Sequence, residues 1–381
     1  MTADMSSVAR LRGHFEHDPE NPDLACALVD AHWAAGDADG ARALLASFPQ
    51  SVSDAPGVRF RRARAALIGG EYAETQEILS AMVAAGEDGA AVRHDLAFAQ
   101  LCMRRTEHAM ATLDSAIDRF GVSPQLLVLR ARIAAMRGEY ALAVSTAADA
   151  QALDPEDAAA LGVMALAHLD GAEEAEAEKA AQAALVRDPA QHEALLVMST
   201  LSLWRMQLDH AQAFLDRALA GHPGSGRALS GLGQWLMLRN ELPQARETLE
   251  RAVVAMPDHI GTWHALAWAC LLQGGIDDAE RCYRRAYDID RNFGDTHGGL
   301  ALVAVLRGDL DEAEQASRRA LRLDPDAQTA RYAQALLLEA RGDHAAYEAR
   351  IAALLPDRQA TGMSVADFAQ RLKVVLTGAG R

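Results

Sequence analysis

The sequence predicts an all-α solenoid: a stack of ten helix-turn-helix repeats with a capping helix at each end. Three observations predict it. First, Pro155, Pro189, Pro223, Pro257 and Pro325 are spaced by thirty-four residues or a multiple of it, and Arg291 stands in the missing place. Second, the text between these marks recurs: ALSGLGQWLMLRNELPQARETLERAVVAMP is followed by TWHALAWACLLQGGIDDAERCYRRAYDIDR and THGGLALVAVLRGDLDEAEQASRRALRLDP. Third, columns of small residues hold one register along the chain. A fixed period of this length marks a stack of supersecondary units, each able to bury its apolar face only against its neighbours.

The elements follow in order. Residues 1–21 form an N-terminal cap, with a short helix over 5–17 that corresponds to the second helix of an incomplete repeat. His14 and His17 lie one turn apart on it, beside Glu16 and Asp18, but without further ligands they read as a solvated helix end. Ten repeats then fill 22–361 without insertion, beginning at Pro22, Pro56, Ala90, Pro124, Ala158, His192, Gly226, Ile260, Gly294 and Gln328. Each gives one helix over positions one to fourteen and another over about eighteen to thirty. Position eight (Ala63, Ala97, Ala131, Ala165, Ala267, Ala301) and position twenty (Ala109, Ala143, Ala177, Ala211, Ala245, Ala279) are small, so the two helices can approach closely. Position twenty-seven, alanine from Ala116 to Ala320, admits the next repeat. Gly36, Gly70, Gly138, Gly274, Gly308 and Gly342 occupy the turn, where a left-handed residue ends the first helix. Residues 362–381 hold the C-terminal cap. There Ser364 is an N-cap for an amphipathic segment over 364–376, which covers the last repeat or docks another protein.

These columns resemble tetratricopeptide (TPR) repeats. Trp263, Leu266, Ala267, Gly274, Ala279, Tyr283 and Ala286 stand where that family places its signature residues. The resemblance implies a right-handed superhelix that binds a protein or peptide. Repeats one to three lack the closing proline, and Arg59, Arg62, Arg93 and Arg130 replace apolar residues, so irregularity is expected there.

Composition narrows the function. Half of the 381 residues are hydrophobic but only 5% are aromatic, which suits close helix packing. A net charge of −16 disfavours nucleic acid, whose phosphates need a basic face. No segment has the length of a membrane span or the form of a signal peptide, so a cytoplasmic protein without membrane insertion is expected. The acidic run 170–178 reads as a solvated helix start, or as a docking site for a basic partner. The glycines of 224–233 lack the Gly-Lys-Ser/Thr ending of a phosphate loop. Cys26, Cys102, Cys270 and Cys282 have no metal spacing. If eight meets twenty, eleven meets about seventeen, which keeps Cys270 and Cys282 apart as reduced thiols.

The resemblance also implies that first helices line the binding groove, with positions two, five, nine and twelve most exposed. An early zone then offers Phe60, Arg64, His94, Phe98 and Arg132, the arginines suiting an acidic partner. A later zone offers Leu166, Leu196, Thr200, Gln234, His264, Trp268, Leu302, Tyr332 and Leu336, with Trp204 at the margin. Trp263, by contrast, faces its hairpin partner. The family's carboxylate clamp needs Lys at five and Asn at nine, and neither column contains them. With no catalytic constellation, no cofactor and no metal site, the expected function is a protein- or peptide-binding scaffold, an adaptor or assembly factor. The alternative is a non-catalytic or substrate-presenting subunit of a separately encoded enzyme. A transcription regulator is disfavoured, because no DNA-binding domain is present beside the repeats. Homo-oligomerisation stays open.

Overall fold

Every first helix starts where the thirty-four-residue register places it. The computed structural model describes residues 2–354, and among these it contains 22 helices and no strand. After Thr2–His17, the first helices begin at Pro22, Pro56, Ala90, Pro124, Ala158, His192, Gly226, Ile260, Gly294 and Gln328. Second helices begin sixteen residues later, from Ala38 to His344, one position earlier than expected. Proline opens three of the first helices, where its missing N–H costs nothing. Asn21 and Ser123 cap two of these, and Asp157 and Ser225 cap two others, each side chain accepting from a backbone N–H of the first turn. The proposed C-terminal cap lies outside the described residues.

The small columns pack as expected. Position eight is buried in all ten repeats, and position twenty in all but the last, where Tyr347 is half-buried. In repeat two the Thr75 hydroxyl at position twenty donates to the carbonyl of Ala63 at position eight, 3.3 Å away. Position twenty-four is a hub that the small columns leave room for, with Leu79, Leu113, Leu215, Leu249 and Tyr283 fully enclosed. It reaches glycines on both sides. A Cβ on Gly233 would lie 2.4 Å from Leu249 of the same hairpin, and one on Gly231 2.9 Å from Leu215 of the preceding repeat.

The irregularity expected in the first three repeats is greatest in repeat one, while repeats two and three differ in closing with left-handed Gly86 and Gly121. The second helix of repeat one, Ala38–Ser47, stops before Pro49 and is followed by the short helix Gln50–Ser53. In the next three repeats, three of the four unexpected arginines form ion pairs in place of apolar contacts. Arg59 pairs with Glu87 at 2.9 Å, Arg93 with Asp88 at 2.9 Å and Arg130 with Asp114 at 3.2 Å.

The cysteines correct one expectation. All four are free, but Cys270 and Cys282 share a thiol hydrogen bond. That contact holds the Cys270 thiol down and, with burial, pushes Cys282 up. Thr112 and Gln100 make the same pairing of positions in repeat three at 2.9 Å. The hairpin closes near position fifteen and side chains lean toward their own helix N-terminus, so eleven meets twenty-three.

Position fifteen is left-handed in all ten repeats. Gly36, Gly70, Gly138, Gly274, Gly308 and Gly342 have φ between 75° and 86°, as the sequence predicts. The other four repeats impose the same conformation on Arg104, Ala172, Met206 and Asn240, with φ of 57–63°. A left-handed non-glycine residue costs roughly 1–2 kcal/mol. Ala172→Gly and Met206→Gly should therefore each stabilise the protein by about 1 kcal/mol, read as a rise in the denaturation midpoint. An unchanged midpoint in both would contradict it.

The chain divides into two compact halves between Glu193 and Ala194. In each, a hairpin stacks on the next, so sites are built from neighbouring first helices or neighbouring second helices.

Candidate functional site on the first helices

Positions five and nine point to the same side of a first helix, because four residues advance it by about one turn. In the N-terminal half this face carries Phe60, Arg64, His94, Phe98 and Arg132, and charge pairing dominates it. The Arg64 guanidinium lies 3.4 Å from Asp95 and 5.9 Å from the ring centres of both Trp33 and Phe60. His94 Nδ1 donates to Asp95 at 2.9 Å. Phe98 packs against the core around Leu101 and Leu113.

Arg132 is satisfied within the protein. Its Nε donates to Glu193 at 2.8 Å, and the Gln191 amide donates to the same carboxylate at 2.6 Å. Burial, the largest single influence, would raise the Glu193 carboxyl, but the Arg132 guanidinium together with hydrogen bonds from the Glu193 backbone N–H and Gln191 outweighs it and holds the pKa below the ordinary carboxylate value. The pair skips a repeat, joining position nine of repeat four to position two of repeat six. Gly162, at position five of the repeat between, makes room: a Cβ there would lie 2.2 Å from the Gln191 side chain. Leu166 in the same repeat is half-buried.

A cleft of about 370 Å³ opens beside this pair, lined by His94, Gln125, Val128, Arg132, Asp154, Glu156, Asp157 and Ala159. Arg64 and Arg132 were expected to face an acidic partner, and the pairing corrects this. Both are neutralised by Asp95 and Glu193, while three carboxylates rim the cleft. Periodicity at five and nine could not reveal these acids, because they sit at positions two and six and in the turn before repeat five.

In the C-terminal half the same face is more apolar. Trp268 and Tyr332 lie with ring centres 6.3 Å apart and also skip a repeat, from position nine of repeat eight to position five of repeat ten. Between them Gly298 holds position five, where a Cβ would lie 2.6 Å from the backbone nitrogen of Ala330. Glycine at five in the intervening repeat is therefore common to both cross-overs. Three expected groove residues are corrected: Leu302 is fully buried, and Leu196 and Leu336 are 6% and 7% exposed. They fill space between first helices instead of facing solvent. The Thr200 hydroxyl bonds back to the Leu196 carbonyl at 2.9 Å, Gln234 is half-buried, and Trp204 is exposed.

His264 is a structural group in this face. Its Nε2 shares a hydrogen bond of 2.9 Å with the Thr296 hydroxyl, and its ring lies 5.4 Å from Tyr283 and 5.6 Å from Phe293. Burial lowers its pKa to about 4, so it is neutral at physiological pH. Trp263 does lean on its hairpin partner: Arg285 lies 6.0 Å from its ring centre. It is only half-buried, and its indole N–H donates to the Pro257 carbonyl at 2.8 Å.

Among the described residues no three His, Cys, Asp or Glu side chains are grouped to hold a metal ion, and no helix is long and apolar enough to cross a membrane.

Comparison with known proteins agrees with this architecture. Profiles of the tetratricopeptide repeat match residues 226–292, and 15–90, 95–158, 264–327 and 299–357. No curated protein matches the sequence. Among solved structures, the hetero-tetramer Cut9–Hcn1 of the APC/C aligns with a TM-score of 0.58 at 12% identity, covering 88% of this chain and 81% of that one. A monomeric mutant of IFIT1 with Gppp-AAAA aligns at 0.55 and 15% identity, covering 88% and 90%. The human IFIT1 dimer with m7Gppp-AAAA aligns at 0.51 and 15%, covering 88% and 89%. Identities this low show a shared fold alone. The matched profiles span more than half of the sequence, and the chain belongs to the tetratricopeptide repeat family.

Proposed function

We propose that the chain is a non-catalytic scaffold, an adaptor or assembly factor, that holds a protein or peptide on the face of its first helices. One observation carries this reading: His94, Val128 and Arg132, from positions five and nine of neighbouring repeats, line one cleft of about 370 Å³. That volume suits one or a few side chains of a partner. With the arginines neutralised and Asp154, Glu156 and Asp157 at the rim, the cleft favours a lysine or arginine of that partner. Trp268 and Tyr332 supply aromatic anchors in the other half, of the kind that dominates binding energy. The Cut9–Hcn1 neighbour is an assembly of proteins, whereas the IFIT1 neighbours hold capped oligonucleotides. A net charge of −16 favours the protein-binding alternative here.

Affinity capture from the native host tests the reading. Wild-type, Glu156→Lys and Trp268→Ala baits are compared by quantitative mass spectrometry. Trp268→Ala should weaken the true partner by about 2 kcal/mol, or thirtyfold, with little change in melting. Glu156→Lys should weaken a basic partner in a salt-dependent way. One stoichiometric enzyme among the lost proteins would identify the chain as an enzyme subunit. Identical recovery with all three baits would sink the assignment of this face.

A further inference from the structure

The C-terminal half carries a second concave surface, built mainly from second helices and unrelated to the cleft described above. It lies among Ile276–Ile289, Gly294–Arg307 and Leu310–Leu323, with a volume of about 940 Å³. The first-helix residues that reach it include Leu300 and Arg307, at positions seven and fourteen. At about 100° per residue these point away from the side carrying five and nine. Within this half, the surface is therefore on the opposite side of the first helices from Trp268 and Tyr332.

Its composition runs against the rest of the molecule. Five arginines line it, Arg284, Arg307, Arg318, Arg319 and Arg322, against three carboxylates, Glu280, Asp309 and Glu312. The chain as a whole carries −16. Three of the arginines are engaged: Arg284 and Arg307 with Glu280, and Arg318 with Glu314. Arg319 and Arg322 are exposed and make no ion pair among the described residues. Between the charges the floor is apolar, formed by Leu300, Val303, Ala304 and Ala316 beside Tyr287.

We propose that this cleft docks an acidic amphipathic helix of a partner protein. A helix with an apolar stripe would bury it on the Leu300–Ala316 floor, and glutamates or aspartates flanking the stripe would meet Arg319 and Arg322. A groove with apolar anchors and a charged rim is the usual receptor for such a helix. Charge complementarity selects the acidic class, since a basic helix would meet the unpaired guanidinium groups of Arg319 and Arg322. Nucleic acid fits less well: its phosphates cannot avoid Glu280, Asp309 and Glu312, and they gain nothing from the apolar floor.

The probe is a fluorescein-labelled synthetic helix of about four turns, with leucines on one stripe and glutamates flanking it. Its comparators are the same peptide with glutamine for glutamate, and an oligoadenylate. Fluorescence anisotropy with the full chain should show binding of the acidic peptide that weakens as salt rises. Arg319→Glu/Arg322→Glu should weaken it about tenfold or more. Arg251→Glu, on an exposed arginine outside the cleft, should leave it unchanged. If charge reversal perturbs folding, judged by circular dichroism, Arg319→Gln/Arg322→Gln should give a smaller loss in the same direction. Four results would overturn the proposal: no binding of the acidic peptide, equal loss with Arg251→Glu, tighter oligoadenylate binding that the double variant abolishes, or self-association that it abolishes. The last two would identify the surface as an RNA site or an interface between copies.

Discussion

Tyr283→Ala should destabilise the protein by about 3–5 kcal/mol, the cost of emptying an enclosed aromatic site. Tyr283 is the largest fully buried side chain in the described residues and belongs to the core cluster that includes Ala267, Cys270 and Leu302. Its fit depends on Gly299 in the next repeat, where a Cβ would lie 2.1 Å from the ring. Gly299→Ala should therefore cost about 1–3 kcal/mol by overpacking. The two effects should not add, because Tyr283→Leu would relieve the clash in the double variant. Other repeats already pair leucine with glycine in this way, as Leu215 does with Gly231. The Tyr283 hydroxyl is buried without a hydrogen-bond partner in the structure, and burial pushes its pKa up. Tyr283→Phe should consequently be neutral or stabilising. Equilibrium denaturation of the five variants, the Tyr283→Leu single included, checks the set. Additive losses in Gly299→Ala/Tyr283→Leu would show that the two sites do not share space.

Glu193→Ala should cost about 1–3 kcal/mol, because it removes a buried carboxylate that accepts from both Arg132 and Gln191 and leaves those donors unpaired. Glu193 has a side chain only 14% exposed, and Arg132 is 32% exposed. Arg132→Met should cost less than Arg132→Ala, since the methionine keeps the packing of the alkyl stem. The pair also makes stability depend on pH. The folded-state pKa of Glu193 lies below its unfolded value, so its contribution is fully present above the unfolded value of about 4.3. It is lost as pH falls through the folded pKa, where the unfolded chain has taken up the proton first. Wild-type should thus lose more stability than Glu193→Gln on acidification below about pH 4.3. Parallel stability curves for the two proteins would show that the pair carries no such linkage.

The early arginines show why the groove was only partly legible in the sequence. Columns five and nine name which side chains share a face, and His94 and Arg132 do line one cleft. They do not name partners from other columns or other repeats. Asp95 meets Arg64 from position six, and Glu193 meets Arg132 from two repeats away. The glycines that permit such crossings, Gly162 and Gly298, were visible at position five, but their meaning depends on what lies over them. Leu302 makes the same point for burial: identical spacing leaves Trp268 half-exposed and Leu302 fully enclosed.

The fold itself was written into the sequence. Thirty-four-residue periodicity, small residues at eight, twenty and twenty-seven, and glycine at fifteen determined the helix starts, the close hairpin crossings and the left-handed turns, because each of these is a local or nearest-neighbour requirement. Even where Arg104, Ala172, Met206 and Asn240 replace the glycine, the neighbouring helices impose its conformation. Tertiary structure alone decided which charges are spent and which remain available. Arg132 is neutralised by Glu193 from two repeats on, whereas Arg319 and Arg322 are left exposed beside an apolar floor. Coulombic pairing and desolvation depend on distances across repeats, and a one-dimensional period carries no information about them.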